Sequence, residues 1–260
     1  MKFAALLSGG KDSILGAILS IKGGNELVAI ANLYPREDAD EIDSYMYQTV
    51  GHRLINSVGE AIGVPLYKRK IRGEMILSTL DYSFKEGDEV EDLFELVKKI
   101  KFDIPDLAAI STGAVFSKYQ ASRVDNICER LNLKHLKFLW RMEPSKLLLS
   151  LKENNVEAII VKTASSDLNP NEFLGVDVVQ NIPKLDLIKS KISRIGEGGE
   201  YETITLNCPI FKKEIKVNFV KKGNLEDKIC PTGYLKFTKF DLIKKNEKFT
   251  ENNDFKIIEC

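Results

Sequence analysis

The hexapeptide "SGGKDS", at residues 8–13, carries the residue types that hold a phosphate group. It follows an apolar run at residues 3–7 and precedes an apolar pattern of helical period that resumes at Ile14. Its adjacent glycines let the backbone approach a ligand closely. The first turn of a following helix offers unpaired N–H groups and the positive end of its dipole. We predict a phosphate-binding loop made of Ser8, Gly9, Gly10, Lys11, Asp12 and Ser13; the alternative is a glycine-rich turn with an ordinary helix cap.

Small and charged residues mark further places where a ligand could bind. Gly113 and Ala114 follow the apolar run "DLAAIS", and their small size lets the backbone lie close to a ligand. Arg123, in the helical pattern that comes next, can reach a phosphate or a carboxylate, or form a salt bridge on the helix surface. Glu89, in "GDEVEDL", is a candidate substrate contact, although acids are also common at the positive end of a helix.

In "DSYMYQTVGH", three polar side chains recur at spacings of four and three residues, which places them on one face of a helix. They are Tyr45, Thr49 and His52. The chain has only two histidines, so His52 is a candidate site residue. The alternative is an ordinary, partly buried polar side chain.

Short strand-like runs alternate with helical patterns through the first half of the chain, and these elements must position the loops. The runs are "KFAALL", "ELVAIANLY", "PLYKRKI", "DLAAIS" and "HLKFLW". The helices are expected at about 12–22, 44–62, 88–101 and 117–131, with another that begins near Pro144. This alternation predicts an α/β fold, a Rossmann-like parallel sheet with helices on both faces. Ligands of such sheets bind at the carboxyl ends of the strands.

The pattern changes after "VEAIIVKTA", where short strand-like runs replace the helical period. We therefore expect a smaller α+β part after the parallel sheet. The predicted units are a nucleotide-binding domain at residues 1–138, a substrate-side C-terminal domain at 139–225, and an extension of unknown role at 226–260.

Composition excludes several classes of protein. The chain has 260 residues with 38 basic and 38 acidic side chains, and this neutral balance does not favour a nucleic-acid partner, which needs a basic excess. Its four cysteines include no CxxC pair, so neither a zinc site nor a disulfide framework is suggested. We recognise no signal peptide and no apolar stretch near the roughly 20 residues of a membrane span. We expect a cytoplasmic protein without a membrane partner.

The hexapeptide fits neither the Walker pattern GxxxxGK[ST] nor the dinucleotide pattern GxGxxG. It resembles the PP-loop, "SGGxDS", of the ATP pyrophosphatase superfamily, whose members split ATP into AMP and pyrophosphate while adenylating an oxygen. The resemblance implies that residues 8–13 hold the pyrophosphate end of ATP and that Asp12 binds a Mg²⁺ ion bridging the phosphates. It also implies that Ala31 and Asn32 offer backbone groups to adenine and that Gly113 and Ala114 line the AMP side.

Three longer stretches, at residues 41–67, 86–100 together with 111–133, and 196–211, resemble the diphthine-ammonia ligase family in the right order. The resemblance runs from residue 1 to about residue 220. That family amidates the diphthine carboxylate on the modified histidine of translation elongation factor 2, with ammonium as the nitrogen source. The resemblance implies ATP and Mg²⁺ as cofactors and that elongation factor as partner. The implied substrate contacts are Tyr45, His52, Glu89, Arg123, Trp140 and Tyr201.

The segment "GEGGEYET", at residues 196–203, crowds carboxylates around one tyrosine. A carboxylate can hold ammonium and take its proton so that the neutral amine attacks. An aromatic face with carboxylates also suits the trimethylammonium group of diphthine. We predict that one of Glu197, Glu200 and Glu202 serves the ammonium and that Tyr201, with Trp140, faces the trimethylammonium. The alternative is a glycine-rich hairpin whose acids face solvent.

The predicted reaction has two steps: the carboxylate attacks the α-phosphorus of ATP while Lys11 and the loop stabilise pyrophosphate, and ammonia then displaces AMP. We recognise no glutaminase part, so free ammonium is the expected nitrogen source. Two alternatives stay open at this point. One is a PP-loop enzyme that adenylates a tRNA base, and the other is a nucleotide-binding protein without turnover.

Overall fold

The computed structural model describes residues 1–35, 54–77, 79–186, 193–225, 232–245 and 255–260. Within these residues the chain forms ten strands and seven helices. The strands are β1 (Lys2–Leu6), β2 (Glu26–Tyr34), β3 (Leu66–Lys70), β4 (Leu107–Ser111), β5 (Lys134–Leu136), β6 (Glu157–Thr163), β7 (Tyr201–Asn207), β8 (Lys213–Leu225), β9 (Thr232–Lys244) and β10 (Ile257–Glu259). The helices are α1 (Lys11–Lys22), α2 (Ile55–Ile62), α3 (Glu89–Asp103), α4 (Lys118–Arg130), α5 (Pro144–Glu153), α6 (Pro170–Phe173) and α7 (Ile182–Asp186).

Six strands form a parallel sheet in the order β10-β3-β2-β1-β4-β5. Side chains of β1 alternate between its two faces: Phe3 and Ala5 join the core formed with α1 and α2, and Ala4 joins the core formed with α3 and α4. Because both faces are covered, the strands β1, β2 and β4 read as almost continuous apolar runs. The predicted Rossmann-like fold is confirmed.

A second, antiparallel sheet has the order β7-β6-β9-β8. Its buried side chains, among them Ile160, Ile204 and Phe237, belong to the same hydrophobic core as α1 and α2. This sheet is the smaller, strand-rich part that the sequence predicts. It is therefore packed against one face of the parallel sheet, on the side of α1.

Residues beyond position 225 contribute to both sheets. β9 pairs with β8 and with β6, whereas β10 pairs with β3, where Ile257 lies opposite Leu66. Phe255 packs so closely on α2 that a Cβ atom at Gly59 would lie 3.0 Å from its ring. The C-terminal residues thus cover the edge of β3 that would otherwise expose backbone groups.

Two elements differ in extent from the sequence expectation. The helix expected at about 44–62 is α2, which spans Ile55–Ile62, and the first half of the expected span lies outside the described residues. The run "HLKFLW" forms a strand only as far as Leu136, and the chain turns before Arg141, which has a left-handed φ of 57°. None of the described helices is long and apolar enough to cross a membrane.

The parallel order places several connecting loops at one edge of the sheet. The phosphate loop joins β1 to α1, and residues 112–117 join β4 to α4. Both lie at the carboxyl ends of neighbouring strands, where ligands of this architecture bind. The edge strand β7 of the second sheet contacts the phosphate loop, since the Thr205 N–H donates to the Gly9 carbonyl at 2.8 Å.

Candidate active site

The phosphate loop is shaped by its glycines and its serines. Gly9 has a φ of +89°, a backbone conformation that favours glycine, and a Cβ atom there would come within 2.6 Å of Ile204 Cδ1. The Gly10 N–H donates to Ser8 Oγ at 3.3 Å, and Ser13 Oγ donates to the Gly10 carbonyl at 3.0 Å. Gly10 caps α1 without a side-chain hydrogen bond. The positive end of the helix dipole therefore faces the loop.

Lys11 ties this loop to the second sheet and the segment before it. Its side chain is only 3% exposed, and Nζ donates to Asp12 Oδ2 at 2.7 Å and to the Ile195 carbonyl at 2.6 Å. Nζ also lies 5.4 Å from the centre of the Tyr201 ring. The Lys11 backbone N–H donates to Thr203 Oγ1 at 3.1 Å. Lys11 and Ile195 are 184 positions apart in the sequence and are joined by this hydrogen bond.

The loop after β4 touches the start of α1 backbone to backbone. A Cβ atom at Gly113 would lie 2.4 Å from the Ser13 nitrogen, and one at Gly16 would lie 2.6 Å from the Thr112 carbonyl oxygen. Gly113 is therefore required for the approach of the β4 loop to the phosphate loop. Ala114 follows it and is 9% exposed.

A buried histidine that sequence reasoning did not single out supports the same loop. His135 Nε2 lies 2.8 Å from Thr112 Oγ1, and Nδ1 lies 2.8 Å from Asp125 Oδ1, which Lys137 also contacts. Burial lowers the pKa of His135, although the contact with Asp125 opposes this effect. A neutral ring that donates from Nδ1 to Asp125 accepts from the Thr112 hydroxyl at Nε2. The one available signal was that the chain has only two histidines.

Glu200 organises the glycine-rich segment. Its carboxylate accepts hydrogen bonds from the Ser193 N–H at 2.6 Å and from the Gly198 N–H at 2.9 Å. The flanking Gly196 and Gly199 have φ values of +75° and +80°, which favour glycine. The segment therefore folds around the Glu200 carboxylate.

Glu197 faces the phosphate loop. Its Oε2 accepts a hydrogen bond from the Phe116 N–H at 3.2 Å, in the loop after β4. Burial and the negative charge of Asp12 raise the pKa of Glu197. Asp12 Oδ1 is itself buried and has no hydrogen-bond partner among the described residues. Two carboxylates thus share the space beside Lys11.

Glu202 and Tyr201 have different surroundings. Glu202 pairs with Lys162 on the neighbouring strand, with 3.4 Å between Oε1 and Nζ. Tyr201 is 3% exposed and its hydroxyl donates to the Arg194 carbonyl at 2.6 Å. Burial and the nearby carboxylates, with Asp12 foremost, raise its pKa well above the ordinary value. Its ring lies against the Lys11 ammonium group.

At the end of β2, Asn32 Nδ2 donates to the Leu7 carbonyl at 2.8 Å, while its buried Oδ1 has no hydrogen-bond partner among the described residues. The neighbouring Ala31 is fully buried, and its carbonyl accepts from the Leu7 N–H at 3.0 Å. The Ala31 carbonyl is thus engaged within the sheet, whereas the Asn32 side chain retains an acceptor.

Other predicted site residues are placed outside this cluster or at its border. Arg123 is fully buried; it donates to the Thr79 carbonyl at 3.1 Å, and its guanidinium carbon lies 3.3 Å from the centre of the Tyr119 ring. Trp140 lies beside Lys137 and Arg141, at 6.0 and 5.9 Å from its ring centre.

Glu89, at the start of α3, is 3% exposed, and its N–H donates to the Glu74 carbonyl. Tyr45 and His52 lie outside the described residues.

The donor set at the phosphate loop suits a cation that is held jointly by protein and nucleotide. No group of three or more His, Cys, Asp or Glu side chains that could hold a metal occurs in the part of the chain that the structure describes. Mg²⁺ in nucleotide sites is typically held by one or two carboxylates together with the phosphates. The partnerless Asp12 Oδ1 fits that requirement.

Fold and site together define an α/β protein of the PP-loop type with an accessory antiparallel sheet. Comparison with known proteins agrees with this class. Residues 1–135 match the family profile described as diphthamide synthase N-terminal domain, and residues 143–243 match diphthamide synthase C-terminal domain. The chain belongs to the diphthamide synthase family.

Curated relatives carry one name throughout. The mouse protein named diphthine--ammonia ligase is 44% identical over 251 residues, covering 94% of this chain and 94% of the relative. The human protein of that name is 43% identical over 97% of this chain and 96% of its own length. A fission yeast protein of the same name, from Schizosaccharomyces pombe, is 46% identical over 83% of this chain but only 36% of the relative.

Proposed function

We propose that this chain is an ATP-dependent ligase that amidates the diphthine carboxylate of translation elongation factor 2 with ammonium, releasing AMP and pyrophosphate. The observation that carries the proposal is the meeting of the two sequence segments at Lys11. The phosphate loop supplies Lys11 and Asp12, the glycine-rich segment supplies Glu197, and Ile195, the residue before that segment, supplies its carbonyl. An elongation factor of translation as substrate also supports a cytoplasmic location.

In the first step, the substrate carboxylate attacks the α-phosphorus of ATP and pyrophosphate departs. Lys11 and the N–H groups at the start of α1 are the groups that would stabilise the charge on the departing pyrophosphate. Asp12 would hold Mg²⁺, which supplies charge neutralisation at the phosphates when bound. Gly113, pressed against Ser13, would set the distance between the AMP-side loop and the phosphate loop. Asn32 Oδ1 offers the adenine side an acceptor.

In the second step, ammonia attacks the acyl-adenylate carbon and AMP leaves. Glu197 is our candidate for holding ammonium and taking its proton, since its raised pKa makes it a stronger base than an ordinary glutamate. The Glu200 carboxylate accepts two backbone hydrogen bonds, and Glu202 is paired with Lys162. That leaves Glu197 as the glutamate of this segment whose surroundings best suit proton transfer. The role of Tyr201 and Trp140 towards the trimethylammonium group stays a prediction.

The test is release of AMP and pyrophosphate from ATP, Mg²⁺ and ammonium, with and without elongation factor 2 bearing diphthine. Release that depends on the diphthine-bearing factor is the expected result. Release that depends on tRNA would instead favour a base-modifying enzyme. ATP binding without release under any condition would favour a nucleotide-binding protein without turnover.

A further inference from the structure

Four large apolar side chains are exposed in the two connections that follow β3 and β4. Met75, Ile76 and Leu80 are 39%, 44% and 52% exposed, and Phe116 is 47% exposed. We call these four residues the apolar rim. Exposed apolar side chains are ordinary when scattered, but a group of them beside a site indicates a surface for another molecule.

Side chains from α3 and α4 and from the residue before α3 hold the backbone of the β3–α3 connection, which carries the first three rim residues. The Asp88 carboxylate accepts from the Ile76 and Leu77 N–H groups, both at 3.2 Å. The buried Arg123 guanidinium donates to the Leu77 and Thr79 carbonyls. Ser122 Oγ donates to the Leu80 carbonyl at 2.6 Å.

The connection is thus fixed without being a helix or a strand of either sheet. A surface ordered before binding loses less conformational freedom on binding. The polar anchors therefore explain how apolar side chains can be displayed on an irregular segment, and they account for the buried Arg123.

The rim lies on the same edge of the parallel sheet as the site. Its first three members follow β3 and its fourth follows β4, so all are on the carboxyl edge of the parallel sheet, as is the phosphate loop. The two connections that carry the rim residues are joined at the start of α4, where the Tyr119 hydroxyl donates to the Leu77 carbonyl at 3.1 Å. Phe116 also donates its N–H to Glu197. The fourth rim residue is therefore linked through its backbone to the predicted reaction centre.

We propose that the apolar rim docks the protein substrate, the elongation factor, around the side chain that is modified. This inference rests on the proposed function. A carboxylate carried on a side chain of a folded protein reaches the reaction centre only if the surface around it lies against the entrance. Docking through apolar side chains also agrees with a chain whose 38 basic and 38 acidic residues balance.

The test compares wild type with the triple variant Met75→Ser, Ile76→Ser, Leu80→Ser. Binding of fluorescently labelled elongation factor and steady-state amidation are both measured. We expect the triple variant to raise the Kd and the KM for the factor by about tenfold or more, with the KM for ATP unchanged. The matched control is Phe102→Ser: Phe102 is 80% exposed, near the end of α3, at the opposite edge of the sheet. It should leave both constants unchanged.

Three outcomes would overturn docking at the rim. They are an unchanged Kd and KM in the triple variant, an equal effect of Phe102→Ser, and a change of oligomeric state in sedimentation without a change in factor binding. The last result would assign the rim to a second copy of the chain. If wild type binds the factor, loses that binding in the triple variant and yet forms no amide, docking stands and the proposed function fails. If wild type does not bind the factor, docking is wrong.

Discussion

At the residue scale, Glu197 and Glu200 stand three positions apart in one segment but do different things. Glu200 is enclosed by backbone N–H donors and shapes the segment, whereas Glu197 faces Asp12 and Lys11. The sequence "GEGGEYET" indicated that carboxylates matter here but could not divide their roles. Which carboxylate a backbone turns inward depends on left-handed glycines whose geometry the residue pattern does not specify.

Replacing Glu197 by Gln should remove a proton acceptor while keeping the shape of the side chain. We expect kcat/KM for ammonium to fall by about a hundredfold or more, with pyrophosphate release in the first step largely retained. Because burial and Asp12 raise the pKa of Glu197, the acid limb of the amidation step should lie at higher pH than an ordinary glutamate would give. That limb should be absent in the variant. Equal losses in both steps would contradict the assignment.

Gly113→Ala places a methyl group where the Ser13 backbone nitrogen lies 2.4 Å away. Two backbone segments must then separate, at a cost of about 1–3 kcal/mol in unfolding free energy, and the KM for ATP should rise. Gly24→Ala is the control, since Gly24 has open space and a φ of +80°. The Gly24→Ala variant should lose about 1 kcal/mol of unfolding free energy through backbone strain alone. Its KM for ATP should stay unchanged. Equal KM values in the two variants would show that Gly113 has no role in ATP binding.

His135 predicts a pH dependence of stability. Its pKa is lowered from 6.5 in the folded chain. Between that lowered pKa and 6.5, the unfolded state therefore binds more protons than the folded state. The contribution of neutral His135 to the free energy of unfolding should therefore be complete above pH 6.5. It should be lost as the pH drops through the lowered pKa. His135→Gln should flatten that part of the profile in chemical denaturation. An unchanged slope would mean that His135 does not titrate as inferred.

At the scale of elements, the edge of β7 and the phosphate loop act as one unit. The Thr205 N–H bonds the Gly9 carbonyl, and Thr203 Oγ1 accepts from the Lys11 N–H. The second sheet therefore helps to hold the predicted phosphate-binding loop in shape. Neither contact was visible in the sequence, since no local pattern specifies which residues lie opposite a free strand edge.

Thr203→Val should leave the Lys11 N–H without this acceptor while preserving the shape of the side chain. We expect a loss of about 1–3 kcal/mol in unfolding free energy and weaker ATP binding by calorimetry. Thr203→Ser keeps the hydroxyl and should stay close to wild type in ATP affinity. If the Ser and Val variants weaken ATP binding equally, the hydroxyl is not the determinant.

Elements with strong local periodicity were predicted closely from the sequence. The helix expected at 88–101 is observed as Glu89–Asp103, and the run "ELVAIANLY" is β2. The run "HLKFLW" ended early because an apolar run alone does not distinguish a strand from a turn. The placement of β10 beside β3 could not be predicted, because pairing between strands far apart in sequence leaves no signal in either strand.

At the scale of the whole molecule, the balanced charge predicts how the partner is recognised. With equal numbers of basic and acidic residues, binding of the elongation factor should depend weakly on ionic strength, unlike a nucleic-acid complex. Measuring the KM for the factor at low and high salt checks this. A steep rise of KM with salt would point to recognition through charge and against the apolar rim.

The central claim is that nitrogen from ammonium enters the diphthine carboxylate at the expense of ATP. The most direct measurement incubates the chain with diphthine-bearing elongation factor 2, ATP, Mg²⁺ and ammonium carrying heavy nitrogen, followed by mass spectrometry of the modified peptide. Our account predicts heavy nitrogen in a new carboxamide, with one AMP and one pyrophosphate formed for each amide. A factor that gains no heavy nitrogen, or one amidated with formation of ADP and phosphate, would contradict it.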